Sequence, residues 1–154
     1  MSALPDRLPR YRTMVPEDIA AIVAIECDIY PHPWTRGNFV DSLAAGYDCR
    51  ILECAGEVAG YGVLMVAAGE AHLLNLSVAR GWQRQGLGRA LLEHFTQRAR
   101  AGGADLLLLE VRPSNTAALA LYEAAGLRRI GLRRGYYPAG ERREDAVVMR
   151  KALT

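Results

Sequence analysis

A chain of 154 residues with 51% hydrophobic and 23% charged residues has the composition of one globular domain, large enough to bury a core. No apolar run approaches the roughly 18 residues that span a bilayer, and the N-terminus, Met-Ser-Ala-Leu-Pro-Asp-Arg, has no apolar h-region, so neither a membrane span nor a secretory signal is expected. A net charge of +2 is too small to argue for nucleic acid, Cys27, Cys49 and Cys54 form no framework and fit a reducing cytoplasm, and His32, His72 and His94 are too scattered for a metal site.

Residues 1–9 read as a loose tail with two prolines. Tyr11–Met14 is a short first strand. Pro16, followed by Glu17 and Asp18, marks a helix start, and Ile19, Ile22, Val23, Ile25 and Ile29 give that helix its apolar stripe until Pro31 ends it. The stretch 30–35, Tyr-Pro-His-Pro-Trp-Thr, is a rigid loop whose Thr35 caps a second helix carrying Phe39, Val40 and Leu43, with a stop at Gly46. From Cys49 the period changes: Cys49–Cys54, Val58–Ala67 and Ala71–Val78 are strands joined by two Ala-Gly-Glu turns, short enough to imply antiparallel neighbours.

A third helix then carries Leu87, Leu91, Phe95 and Ala99 on one face and stops at Gly102-Gly103. Leu106–Val111 is a continuous apolar run, as in a strand buried on both faces. Asn115 caps a fourth helix, with Ala118, Leu119 and Tyr122 inward and Gly126 past its end, and strands near Arg128–Tyr136 and Asp145–Ala152 close the chain. The order β-α-α-β-β-β-α-β-α-β-β describes a single α/β domain over 1–154: a mostly antiparallel mixed sheet, one β-α-β crossover, and helices on both faces.

The chemistry concentrates at Asn75–Arg89, a strand end, a polar turn and the first turn of the third helix. Gly86 and Gly88 let a ligand approach the backbone, the first helical N–H groups lack intrahelical partners, and Arg84 and Arg89 add positive charge. A pyrophosphate is the guest this suits. A dinucleotide fingerprint is the rival, but Leu91 stands where its third glycine belongs, and residues 80–85 separate the turn from its strand.

With the turn Gln83-Arg84-Gln85-Gly86-Leu87-Gly88-Arg89-Ala90 so placed, the chain resembles the GNAT family of acetyl-CoA-dependent N-acetyltransferases, whose signature is Gln/Arg-x-x-Gly-x-Gly/Ala. Downstream, Leu109-Glu110-Val111-Arg112-Pro113-Ser114-Asn115, Ala120-Leu121-Tyr122-Glu123, Arg134-Gly135-Tyr136-Tyr137-Pro138 and Arg143-Glu144-Asp145-Ala146 resemble its RimI branch, the bacterial enzymes that acetylate the N-terminal alanine of a small-subunit ribosomal protein. The resemblance is dense from Asn75 to Met149 and thinner before it, through Ile25-Glu26 and Pro33-Trp34; Leu127 replaces a usual phenylalanine. It implies the GNAT fold, acetyl-CoA as co-substrate with no metal, and an N-terminal protein acceptor in the cytoplasm.

Acetyl transfer from a thioester to an amine needs a neutral amine, a held carbonyl and a proton for the leaving thiolate. An α-amine titrates near ~8, so a modest base suffices. Glu110 is the candidate, the one acid at the end of an apolar strand; the alternative is a solvated carboxylate or one paired with Arg112. The resemblance assigns Glu110 the base role. It also makes Tyr122, seven residues after Asn115, the proton donor to the thiolate, where an isolated helical tyrosine would otherwise be packing core.

By the same resemblance, Leu76, Ser77 and Val78 pair their backbone with the pantetheine arm between splayed fourth and fifth strands. Arg84, Gln85, Gly86, Leu87, Gly88 and Arg89 hold the pyrophosphate, and Asn115 contacts the cofactor. Trp34, Tyr136 and Tyr137 are candidates for the acceptor wall, with core or dimer packing as the alternative. Acetylation of lysine side chains or of a small amine, and a silent acetyl-CoA-binding module, are the competing functions.

Overall fold

The computed structural model describes residues 9–154, so all but the last residue of the tail expected over 1–9 lies outside the described residues. Strand β1 (Arg10–Thr13) leads into a 3-10 turn (Pro16–Asp18) and helix α1 (Ile19–Ile29). Pro16 thus opens a tighter turn ahead of the α-helix. Asp18 accepts the Val15 N–H at 2.8 Å and takes a two-pronged hydrogen bond from Arg12, both at 2.8 Å, which ends β1 against that turn. Helix α2 (Arg36–Ala44) starts as expected: Thr35 accepts the Asn38 N–H, and Asn38 Oδ1 accepts the Thr35 N–H at 2.9 Å.

Strands β2 (Asp48–Cys54), β3 (Glu57–Ala67) and β4 (Glu70–Val78) follow, then α3 (Leu87–Ala101), β5 (Leu106–Val111), α4 (Thr116–Ala124), β6 (Arg128–Ala139) and β7 (Arg142–Ala152). The seven strands form one sheet in the order β1-β2-β3-β4-β5-β7-β6. Pairing is antiparallel for β1–β2, β2–β3, β5–β7 and β6–β7 and parallel for β4–β5. This is the mixed sheet with one crossover that the element order implied. The last two strands are longer than expected because Gly140, at φ +67°, lets the hairpin close tightly and the pairing run out to Ala139↔Arg142.

Both short hairpins, at Ala55-Gly56 and Ala68-Gly69, place two successive residues at positive φ (53° and 76°; 53° and 79°). That is the mirror-image turn whose twist matches the strands, and alanine is strained at its first position. Ala55→Asn and Ala68→Asn are each expected to stabilise the fold by about 0.5–1 kcal/mol in denaturant unfolding. An unchanged or lowered midpoint would contradict that.

The chain falls into two compact units. The first comprises the described residues up to Leu64 together with Asn75–Leu92. Its core holds Met14, Ile19, Ile22, Phe39, Ile51, Tyr61 and Leu91, with the Phe39 ring edge-on to Tyr61 at 5.9 Å. Gly60 is required here, because a Cβ would sit 2.8 Å from the Ser77 carbonyl oxygen. The second unit, Met65–Leu74 with Glu93–Thr154, is built on Leu73, Phe95, Ala99, Leu107, Leu109, Leu119 and Met149.

Three expected faces differ. On α1 the buried positions are Ile19, Ile22 and Glu26, so a carboxylate occupies the inward stripe and Ile25 sits at its margin. On α2, Val40 is 44% exposed and Ser42 takes the inward position, returning its hydroxyl to the Asn38 carbonyl at 2.8 Å. Strand β5 alternates: Leu107, Leu109 and Val111 are buried, while Leu106, Leu108 and Glu110 are half-covered. Among the described residues no helix is long and apolar enough to cross a membrane.

Candidate active site

In the first unit, β4 delivers Leu76, Ser77 and Val78 to the turn that precedes α3. Its ladder with β5 ends at Leu73↔Leu109, whereas the strand continues to Val78. The Ala79 N–H turns to the Ala59 carbonyl on β3 (2.8 Å), so by strand alternation Leu76 and Val78 point their backbone groups the other way. Those two carbonyls accept from side chains, Leu76 from the Tyr30 hydroxyl at 3.1 Å and Val78 from Gln83 Nε2 at 3.0 Å.

The turn itself contains two left-handed residues, Arg84 at φ +62° and Gly86 at φ +80°. Glycine is at home there; arginine is strained, as Ala55 and Ala68 are in their hairpins. Helix bonding begins with the Ala90 N–H, 3.1 Å from the Gly86 carbonyl, and the amides before it have no helical carbonyl four residues back. Arg84, Gln85, Gly86 and Arg89 are exposed, with Leu87 and Gly88 half-buried, so free amides and two guanidiniums stand at one helix start. A phosphate fits this donor set.

Trp34 belongs to the same unit. Its indole lies 5.2 Å from the Phe39 ring, and its backbone N–H donates to Glu26 at 2.8 Å. Half-buried, it keeps one side on the core and one toward solvent.

The second unit brings Glu110 together with two residues that sequence reasoning passed over. His72, level with Leu108 across the parallel ladder, hydrogen-bonds Glu110 Oε2 through Nε2, and Arg133 donates to Oε1 at 3.0 Å. Arg112, the partner considered from sequence, instead reaches the Pro138 carbonyl at 2.8 Å and Glu144 at 3.3 Å. Burial pushes the Glu110 carboxyl up, but the hydrogen bonds and charge of His72 and then Arg133 outweigh it and hold it below the ordinary carboxylate range. Glu110 is therefore ionised at neutral pH and able to take a proton.

His72 had a signal: it alternates with buried Ala71 and Leu73, which puts it on the half-covered face of the sheet that Glu110 shares. Arg133 had none, being one of many arginines near the chain's end.

Asn115 caps α4, its Oδ1 accepting the Ala118 N–H at 3.2 Å. Tyr122 lies on α4 and is 7% exposed. Tyr136 and Tyr137 stack edge-on at 4.9 Å, each under a guanidinium: Arg133 4.6 Å from the Tyr136 ring, Arg112 4.4 Å from that of Tyr137. Burial, and then the negative field of Glu110, push the Tyr137 hydroxyl up, so it stays protonated. Among the described residues no cluster of three or more His, Cys, Asp or Glu could hold a metal ion.

A helix start suited to phosphate and an ionised strand-end carboxylate are compatible with group transfer from a phosphorylated donor. Residues 19–127 match the Acetyltransferase (GNAT) family. The chain is 41% identical to the [ribosomal protein bS18]-alanine N-acetyltransferase of Escherichia coli K12, over 86% of this chain and 89% of that protein. It is 33% identical to the enzyme of the same name from Haemophilus ducreyi, over 89% and 95%. The crystal structure of the E. coli ribosomal-protein-S18-alanine N-acetyltransferase superposes with a TM-score of 0.87 at 37% identity, covering 96% of this chain and 95% of that one. The chain belongs to the GNAT family and is an acetyl-CoA-dependent N-acetyltransferase. Its acceptor is a protein.

Proposed function

We propose that this chain acetylates the α-amino group of the N-terminal alanine of ribosomal protein bS18, in the cytoplasm, through one acetyltransferase domain over 1–154. The observation that carries this reading is the 41% identity, over most of both chains, to a bS18-alanine N-acetyltransferase. The family match runs through segments of both compact units, which supports one functional domain.

In this reading acetyl-CoA supplies the activated acetyl group, its pyrophosphate received by the amides of Gly86–Arg89 and by Arg84, with Asn115 as a further contact. Leu76, Ser77 and Val78 line its pantetheine arm. Glu110 takes a proton from the acceptor α-amine, whose nitrogen attacks the thioester carbonyl. The C–S bond breaks as the N–C bond forms, and the Tyr122 hydroxyl donates its proton to the departing thiolate. With a thiol pKa near ~8.5 the thiolate is already a tolerable leaving group, so a phenol near ~10, protonated at neutral pH, needs only to assist as a donor while the C–S bond breaks. Trp34, Tyr136 and Tyr137 wall the acceptor.

Intact unmodified bS18, incubated with the protein and acetyl-CoA, is expected to gain a single acetyl group at its first residue, read by mass spectrometry. A product acetylated only at lysines would overturn the reading.

A further inference from the structure

We infer that Glu26 is a positioning residue for acetyl transfer: its buried carboxylate ties the loop carrying Trp34 to Asn75 and Ser77 on β4. The inference rests on the reading above, in which β4 lines the cofactor arm and Trp34 the acceptor.

Glu26 is 1% exposed, in the middle of the inward stripe of α1. Four neutral donors converge on it. Oε1 accepts the Trp34 N–H at 2.8 Å; Oε2 accepts the Tyr61 hydroxyl at 2.7 Å, Asn75 Nδ2 at 3.2 Å and Ser77 Oγ at 3.3 Å. The hydrogens can be apportioned. Ser77 has one, and its shorter contact is to Asn75 Oδ1 at 2.7 Å, which leaves Tyr61 and Asn75 as the principal donors to Oε2. Tyr30, with one hydroxyl hydrogen, then donates to Ser77 Oγ at 2.8 Å, with the Leu76 carbonyl at 3.1 Å as its alternative acceptor. Burial, against the Ser77 hydrogen bond, pushes the Tyr30 hydroxyl up to about 12, so it remains a donor at neutral pH.

Asn75 and Ser77 are thus held from the α1 side, Ser77 also by Tyr30 at the start of the α1–α2 loop, and among the described residues of the network Glu26 is the one that grips that loop at Trp34. An apolar residue would complete the Ile19–Ile22 stripe with no desolvation cost. A carboxylate there makes sense as a device that fixes two segments in mutual register.

The conservative variant separates the two grips. Backbone N–H of Trp34 can only donate, so the amide of Glu26→Gln must turn its oxygen toward Trp34. Its NH2 then faces Tyr61 and Ser77, whose hydroxyls can rotate to accept, and Asn75 Nδ2, which cannot. Glu26→Gln therefore keeps the loop and disturbs β4; Glu26→Ala loses both.

The test measures kcat and KM for the bS18 N-terminal peptide, together with the acetyl-CoA Kd by calorimetry. Glu26→Ala is expected to raise the peptide KM and the acetyl-CoA Kd by about tenfold each, the scale of a buried hydrogen bond lost. Glu26→Gln is expected to return the peptide KM to within about threefold of the parent while leaving acetyl-CoA weak. A residue needed only for folding would lower the active fraction and shift neither constant. Glu26→Ala with both constants within about twofold of the parent overturns the inference, as does Glu26→Gln weakening both substrates equally. If Glu26→Ala does not fold, the split in Glu26→Gln decides. If the parent does not acetylate the bS18 peptide, the proposed function fails by itself; the inference is then judged on the acetyl-CoA Kd and on Trp34 emission in a Trp82→Phe background. Emission shifted by Glu26→Ala but not by Glu26→Gln supports it; emission unmoved by either overturns it.

Discussion

Glu110→Gln is expected to lower kcat by about 10²–10⁴-fold, the usual contribution of a positioned general base, while acetyl-CoA binds with unchanged affinity. The side chain keeps its size and one oxygen, which can still accept from Arg133; the proton-accepting charge is lost, and the contact with His72 changes because the new NH2 can only donate. In the parent, both oxygens of Glu110 are engaged, one by His72 and one by Arg133 at 3.0 Å. These partners keep the carboxylate charged against the cost of its burial. A base held this way is ionised well below neutrality and correspondingly weak, which suits an acceptor that needs little help to deprotonate. A Glu110→Gln variant with parental kcat would remove Glu110 from the chemistry.

The same arrangement fixes the sign of a pH effect. His72 lowers the Glu110 pKa, so His72→Ala removes a stabiliser of the charged form and lets burial act with less opposition. The acidic limb of the kcat/KM profile is then expected to move to higher pH, with the rate at its plateau less affected. A profile unmoved, or moved to lower pH, would contradict the role given to His72.

Tyr122→Phe is expected to reduce kcat by about 10²-fold, again without weakening acetyl-CoA. The ring is buried on α4, and phenylalanine keeps its packing, so the variant removes only the hydroxyl. If that hydroxyl protonates the thiolate, the defect depends on the leaving group: a thioester of a more acidic thiol needs less help, and the gap between variant and parent narrows. A gap independent of the thiol's acidity would assign the hydroxyl to binding or packing.

How much of this could be read in advance differs from element to element for physical reasons. Strand β5 is legible to the residue, because the apolar run Leu106–Leu109, with Val111 after Glu110, stands between Gly103 and the Pro113 turn. The cap residues Thr35 and Asn115 are legible because a side-chain acceptor three residues ahead of a free N–H is a local device. The phosphate-binding turn is local as well, although the left-handed backbone of Arg84 is not: arginine gives no sign of it.

What the sequence hides is set by distance along the chain. Glu110 meets His72 and Arg133, 38 and 23 residues away; strand alternation puts His72 on the matching face, but nothing near Arg133 announces the meeting. Glu26 is hidden for another reason. Hydrophobicity reads α1 through its isoleucines, and so follows Ile25, whereas the spacing from Ile19 and Ile22 puts position 26 inside. A carboxylate is tolerated there only because donors from residues 34, 61 and 75 come to it.

The central claim, transfer to an α-amine, is tested most directly with two peptides of one sequence, the N-terminus of bS18 with a lysine inside it. One peptide has a free α-amine and a blocked lysine; the other has the reverse. kcat/KM for the first is predicted to exceed that for the second by about 10²-fold, since at neutral pH the free-base fraction of an α-amine near pKa ~8 exceeds that of a lysine near ~10.4 by about that factor. Equal values, or a preference for the free lysine, would contradict it.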